Sequence, residues 1–102
     1  MKFKESVTYD DLLLVPQFSD IQSRREVDIT SFLGHHELTL PIIASPMDTV
    51  SELGMAQAMS EAGGMAVIHR YNTIEEQQSI AAQFFSNSGW KGTMAAAIGV
   101  TG

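Results

Sequence analysis

The ten residues PIIASPMDTV, Pro41 to Val50, run a short apolar strand straight into a polar turn at Ser45, Pro46, Met47 and Asp48. A buried strand that stops this way leaves hydroxyl, thioether and carboxylate groups at its carboxyl end, where parallel α/β enzymes hold their ligands. Ile42 to Ser45 reads as a first strand, and Thr49 and Glu52 stand in capping-box spacing at the head of a helix, so that each side chain can satisfy the other's free backbone donor. Met55, Ala58, Met59 and Ala62 share one face of that helix, with Gln57, Ser60 and Glu61 opposite, and Gly63 and Gly64 supply its stop. Met65 to His69 is a nearly continuous apolar run, as expected of a parallel strand covered on both faces. Thr73 and Glu76 repeat the capping-box spacing and open a helix that carries Ile74, Ala81 and Phe85 on one face, with Ile80 and Phe84 alongside. That helix should end near Asn87 to Gly89, and the small apolar residues from Met94 to Val100 read as a third strand.

Strands alternating with helices argue for a parallel sheet with right-handed crossovers. A doubly wound nucleotide fold and a (β/α)8 barrel both begin this way, but no glycine-rich phosphate loop follows any of the strands. The expected fold is therefore α/β, the opening portion of a TIM (β/α)8 barrel, with residues 41–102 forming its first three strands and two helices. Residues 1–40 read as an N-terminal hairpin and cap: Leu12 to Pro16 as a strand closed by proline, Glu26 to Thr30 as a half-exposed strand of period two, and Gly34, His35, His36 and Glu37 as a loop. A complete barrel needs roughly 250 residues. Three strands alone would leave open edges and bare inner faces, so a fragment or one piece of a split protein is expected.

Composition narrows the possibilities. The chain has 102 residues, 44% of them apolar, an ordinary globular content. Twelve acidic and six basic side chains give a net charge of −6, and no basic cluster exceeds Arg24 and Arg25, which disfavours nucleic acid as a partner. The absence of cysteine excludes disulfides, thiolate metal sites and a cysteine nucleophile within these residues. No apolar run approaches a membrane span and MKFKESVTYDD lacks a signal-peptide core, so a cytoplasmic location is expected.

TYDDLLLVPQFSDIQSRREVDI, followed by LTLPIIASPMDTVSELGMAQAMSEAGGMAVIHRYNTIEEQ, resembles the N-terminal part of the IMP dehydrogenase and GMP reductase family. The likeness runs almost continuously from Val7 to Gln77, with the motifs around Asp10–Pro16, Pro46–Val50 and Gly63–His69 in order and spacing, and AAAIGV is similar to the family's third barrel strand. Ser45 ahead of Pro46 resembles the form common in IMP dehydrogenases. The resemblance implies oxidation of IMP to XMP with NAD, a homo-tetrameric assembly, and a catalytic cysteine, phosphate-binding glycines and monovalent-cation (potassium) site that all fall outside residues 1–102. It also implies a substrate-binding role for Ser45 and Met47. FFSNSGWKGTMAAAIGV passes directly from helix to strand where most IMP dehydrogenases insert regulatory CBS modules, and GMP reductases show the same direct passage. GMP reductase, or a non-catalytic fragment of either enzyme, is the alternative.

Each candidate has a plainer reading. Ser45 can donate or accept one hydrogen bond to a ligand, or terminate the strand on its own backbone. Met47 can lie against a purine or ribose as a soft surface, or fill a gap in a core. Asp48 suits a supporting role or the positive end of the helix dipole. His69, at the end of the second strand, faces either a ligand or a neighbouring loop, and Arg70 after it offers a cation on the cofactor side. His35 and His36 beside Glu37 lack a further metal ligand and read as solvated loop. Asp10 and Asp11, adjacent in sequence, do not read as a catalytic carboxylate pair.

Overall fold

A computed structural model describes residues 1–89 and 92–100. Trp90 and Lys91, within the expected direct passage from helix to strand, and Thr101 and Gly102, the end of the expected 41–102 unit, lie outside the described residues. An antiparallel hairpin of β1 (Ser31–Leu33) and β2 (His36–Leu38) precedes β3 (Ile43–Ala44), α1 (Leu53–Ala62), β4 (Met65–Ile68), α2 (Ile74–Asn87) and β5 (Met94–Ala96). β3, β4 and β5 form one parallel sheet in chain order, with Ala44 beside Ala66 and Ala66 beside Met94.

The core forms where the helices meet this sheet. Ala56 of α1, Ala66 and Ile68 of β4 and Phe84 of α2 are fully buried, with Leu53, Met59, Ile80 and Met94 packed around them. Two alanines facing each other let α1 close on β4, and Phe84 fills the remaining space; burying such a side chain stabilises by roughly 1.5–3 kcal/mol. α1 stops at Gly63, whose φ of 95° is left-handed, and the Gly64 N–H donates to the Met59 carbonyl at 2.8 Å, a glycine C-terminal cap. The chain entering β3 passes directly over this cap. A Cβ at Gly63 would overlap Thr39 Oγ1, and one at Gly64 would lie 2.7 Å from the Ile42 carbonyl oxygen.

Several local expectations change. Leu12 to Pro16 is in no strand, and Glu26 closes a short 3-10 turn, Arg24–Glu26, instead of opening a strand. The hairpin lies further on because Gly34, at φ 62°, makes the first residue of a two-residue loop, and this places His36 and Glu37 in β2. β3 and β5 are shorter than read, and β4 ends at Ile68, one residue before His69. The Thr49–Glu52 capping box does not form: Glu52 itself is the N-cap of α1, and its carboxylate is engaged by His69. Ala58 and Ala62 are exposed, whereas Ala56 is buried, and Ser60 from the supposed outer face accepts the Thr93 N–H at 3.1 Å. Ile74 is exposed. By contrast Thr73 and Glu76 do form their reciprocal box, with the Glu76 N–H donating to Thr73 Oγ1 at 3.1 Å and the Thr73 N–H to Glu76 Oε2 at 2.8 Å.

The chain spreads well beyond a compact shape. Its radius of gyration is 18.2 Å, against about 13 Å for a compact domain of this length. Its accessible surface is 8845 Å², against roughly 5700 Å² for a compact protein of this size. The excess lies mainly in the first thirty residues, of which only Thr30 is even partly buried.

Candidate functional site

The carboxyl ends of β3 and β4 are joined by a hydrogen-bonded turn. Ser45 follows β3 and is exposed; its carbonyl accepts the Met47 N–H at 2.9 Å and also the Ser51 hydroxyl. Its own hydroxyl makes no hydrogen bond among the described residues, so the strand-terminating contacts run through the backbone and not through the side chain. Met47 is 54% exposed, and its carbonyl accepts the N–H groups of Val50 at 3.1 Å and Ser51 at 2.8 Å. The turn therefore presents a serine hydroxyl and a thioether outward while its backbone polar groups are satisfied inward. Asp48 is exposed in this turn, outside the first turn of α1, which holds no acidic residue. The helix-dipole reading of Asp48 is thus replaced by that of a turn residue.

His69 is 3% exposed and uses both ring nitrogens. The Tyr71 N–H donates to Nδ1 at 3.1 Å, and Nε2 lies 2.9 Å from Glu52 Oε1. A backbone N–H can only donate, so Nδ1 is an acceptor and the proton sits on Nε2, directed at Glu52. His69 therefore bonds to the entrance of α1, while its own N–H donates to the Ser51 carbonyl at 3.4 Å. Arg70 next to it is exposed, with its guanidinium carbon 5.8 Å from the centroid of the Tyr71 ring. The Tyr71 ring stacks at 6.2 Å on that of His69.

Gln77 closes the far side of the rim. Its Nε2 donates to the carbonyls of His69 at 3.2 Å and Ala97 at 3.0 Å, tying the ends of β4 and β5 together. Beside the rim, Glu52, His69, Tyr71, Asn72, Glu76, Ser79 and Ile80 line an open pocket of about 480 Å³ between the N-cap of α1 and α2.

The structure thus gathers Ser45, Met47, Asp48, His69 and Arg70 at the carboxyl ends of adjacent parallel strands. It leaves the other candidates elsewhere. His35 and His36 are in the N-terminal hairpin, rings 4.5 Å apart, and Asp11 accepts the Thr8 N–H at 2.9 Å. Sequence reasoning missed Ser51, Tyr71 and Gln77 as members of the rim and treated Glu52 only as a cap. Gln77 left no usable signal, since Ile74, three residues before it on the same helix, is exposed and does not mark the face turned to the strands. Ser51 left none, because its burial follows from the turn at Met47 and not from any periodicity.

Parallel strands in chain order, helices between them and polar groups gathered at the strand ends define an α/β protein with a parallel sheet, a class whose enzymes keep their ligands at the carboxyl ends of the strands. Within that class, the chain belongs to the IMP dehydrogenase / GMP reductase family, whose domain model matches residues 6–101. It is 50% identical over 78 residues to the inosine-5'-monophosphate dehydrogenase of Nitrosopumilus maritimus, covering 76% of this chain and 16% of the relative. It is 46% identical over 74 residues to a GMP reductase of Leishmania donovani, covering 72% of this chain and 15% of the relative. The GMP reductase of Trypanosoma brucei, solved in complex with guanosine 5'-triphosphate, superposes with a TM-score of 0.72 at 46% identity over 76% of this chain and 19% of its own. The chain thus spans less than a fifth of these relatives. No helix among the described residues is long and apolar enough to cross a membrane.

Proposed function

We propose that these residues form the opening portion of the (β/α)8 barrel of an IMP dehydrogenase, which oxidises IMP to XMP with NAD in guanine nucleotide synthesis. In this reading Ser45 and Met47 form one wall of the purine nucleotide site. The observation that carries it is the turn after β3. There Ser45 is exposed with its hydroxyl unengaged among the described residues and Met47 is half exposed, on a backbone whose hydrogen bonds are already made. Such a wall offers one hydrogen bond and one polarisable apolar contact, which suits a nucleoside rather than its phosphate. Asp48 and His69 support the wall without touching the nucleotide.

In this reading NAD, when bound, would supply the hydride acceptor. The exposed Arg70 and Tyr71 fit its side of the rim, a cation for phosphate beside a ring for stacking. The groups that perform the chemistry, and the potassium site, belong to the remainder of the barrel, with which this piece pairs through the open edges of β3 and β5. The protein acts in the cytoplasm as a homo-tetramer, and residues 1–102 alone are inactive.

GMP reductase is the second reading, favoured by the passage from α2 to β5 without an inserted module and by the likeness to the trypanosomatid reductases. Assay of the complete barrel separates the two. NADH formation dependent on IMP is the expected result; NADPH consumption with GMP and release of ammonia assigns the reductase instead. In the same enzyme Ser45→Ala should weaken nucleotide binding by about 1 kcal/mol, the usual worth of one hydrogen bond, and an unchanged affinity for IMP would remove Ser45 from the site.

A further inference from the structure

The turn that carries Ser45 and Met47 is held by residues that cannot themselves reach a ligand. Ser51 is 0% exposed. Its hydroxyl donates to the carbonyl of Ser45, its N–H to the carbonyl of Met47 at 2.8 Å, and its carbonyl accepts the His69 N–H at 3.4 Å. One buried residue thus binds the first and third residues of the turn and the end of the adjacent strand. His69, equally buried, extends the link through Nε2 to Glu52, the residue after Ser51, and through Nδ1 to Tyr71. Every polar atom of the imidazole is spent on the protein, so the ring is not available to a ligand. Buried donors and acceptors connected in this way are strongly coupled, because an unpaired member costs its full desolvation.

We propose that Ser51 and His69 are positioning residues that clamp the Ser45–Val50 turn to the end of β4 and so set the distance of the Ser45 hydroxyl and the Met47 thioether from the purine nucleotide. The clamp rests on the reading of that turn as the nucleotide wall. Ser51 acts through the Ser45 carbonyl, and His69 acts through Glu52 and the Ser51 backbone. Nucleotide affinity is therefore the quantity it governs, while hydride transfer, performed by groups elsewhere in the barrel, is not.

The test uses the complete barrel with Ser51→Ala, Ser51→Thr and His69→Gln. KM for IMP and kcat are measured separately, and amide hydrogen exchange is followed by mass spectrometry over residues 45–52. Ser51→Ala should raise KM for IMP about five-fold, the equivalent of one lost hydrogen bond, with kcat little changed and faster exchange across the turn. Ser51→Thr, which keeps the hydroxyl, should restore both. His69→Gln keeps a donor near Nε2 for Glu52 and loses the acceptor for Tyr71, so it should fall between Ser51→Ala and the parent. A fall in kcat with KM unchanged, and no rescue by threonine, would reduce the clamp to a fold support and overturn the proposal. Unchanged exchange in Ser51→Ala, with IMP turnover intact in the parent, would sink the clamp and leave the dehydrogenase reading standing. Faster exchange in a protein whose parent form shows no IMP-dependent turnover would do the reverse.

Discussion

Residues 1–30 and residues 41–100 contain the same kinds of side chain and use them in opposite ways. In the first region Leu13 is 96% exposed, Leu14 98% and Phe18 96%. In the second Phe84 and Ile68 are fully buried. The hydrogen bonds differ in the same sense. Among the described residues, every side-chain bond within 1–30 spans four positions or fewer, such as Thr8 to Asp11 and Gln22 to Glu26. Beyond residue 41, Glu52 meets His69 at a separation of 17, Gln77 meets Ala97 at 20 and Ser60 meets Thr93 at 33. Apolar content alone therefore does not make a core. The strand and helix pattern after residue 41 lets distant segments share a surface, whereas the apolar residues of the N-terminal arm are buried by nothing among the described residues. Under the barrel reading, that arm and the bare edges of the sheet are covered by the remaining strands and helices.

The largest test of this contrast is truncation of a large apolar residue in each region. Phe84→Ala should cost about 3–5 kcal/mol in denaturant unfolding, since it empties the centre of the helix–sheet core. Leu14→Ala in the 102-residue chain should change stability by less than about 0.5 kcal/mol. Equal effects would mean that the arm packs as tightly as the core and would abolish the distinction. The same Leu14→Ala measured in the complete barrel sharpens it, because a cost that appears only there locates the arm's cover in the rest of the protein.

Gly63→Ala addresses the boundary between the regions. It places a side chain at φ 95° against Thr39, where the incoming segment crosses the end of α1, and should destabilise by about 2–3 kcal/mol. A melting temperature within a degree of the parent would show that the segment entering β3 does not press on the cap.

The smallest effect belongs to the arm itself. Hydrogen bonds from the Thr30 side chain, and then from its backbone N–H at 2.9 Å, hold the Asp28 carboxyl below its usual value. A depressed carboxyl pKa contributes above the unfolded value, and the contribution is lost as pH falls through the folded one. An acid titration of Asp28 by NMR should therefore show a midpoint below that of an unstructured aspartate, and Thr30→Val should return it toward that value. No shift on substitution would mean that even this local contact is not formed.

Much of the second region was legible beforehand because its signals are local. The Thr73–Glu76 box, the Gly63–Gly64 stop and the apolar run of β4 each act within one turn or one strand, and each stands where its residues put it. The errors fall where a partner distant in sequence decides. Thr49 and Glu52 have the spacing of a capping box, but His69 takes the Glu52 carboxylate and the helix starts later. Glu26 to Thr30 alternates like a strand, yet a strand needs a neighbour, and the turn at Gly34 pairs residues 31–33 with 36–38 instead. The rim shows the same division: Ser45, Met47 and His69 were visible at strand ends, while Ser51 and Gln77 emerged only through atoms they meet across the sheet.

By itself the sequence determined the alternation of strand and helix, the two glycines that stop α1, the cap of α2 and, through the run from Val7 to Gln77, the family resemblance. Those features depend on backbone sterics and hydrogen bonds reaching no more than a few residues. Only the tertiary structure decided which face of α1 is buried, where the hairpin closes, and that Ser51 and His69 converge behind the turn at Ser45 and Met47. The physical reason is that burial and buried hydrogen bonds are properties of pairs of surfaces, and a residue acquires them from whatever the fold sets opposite it.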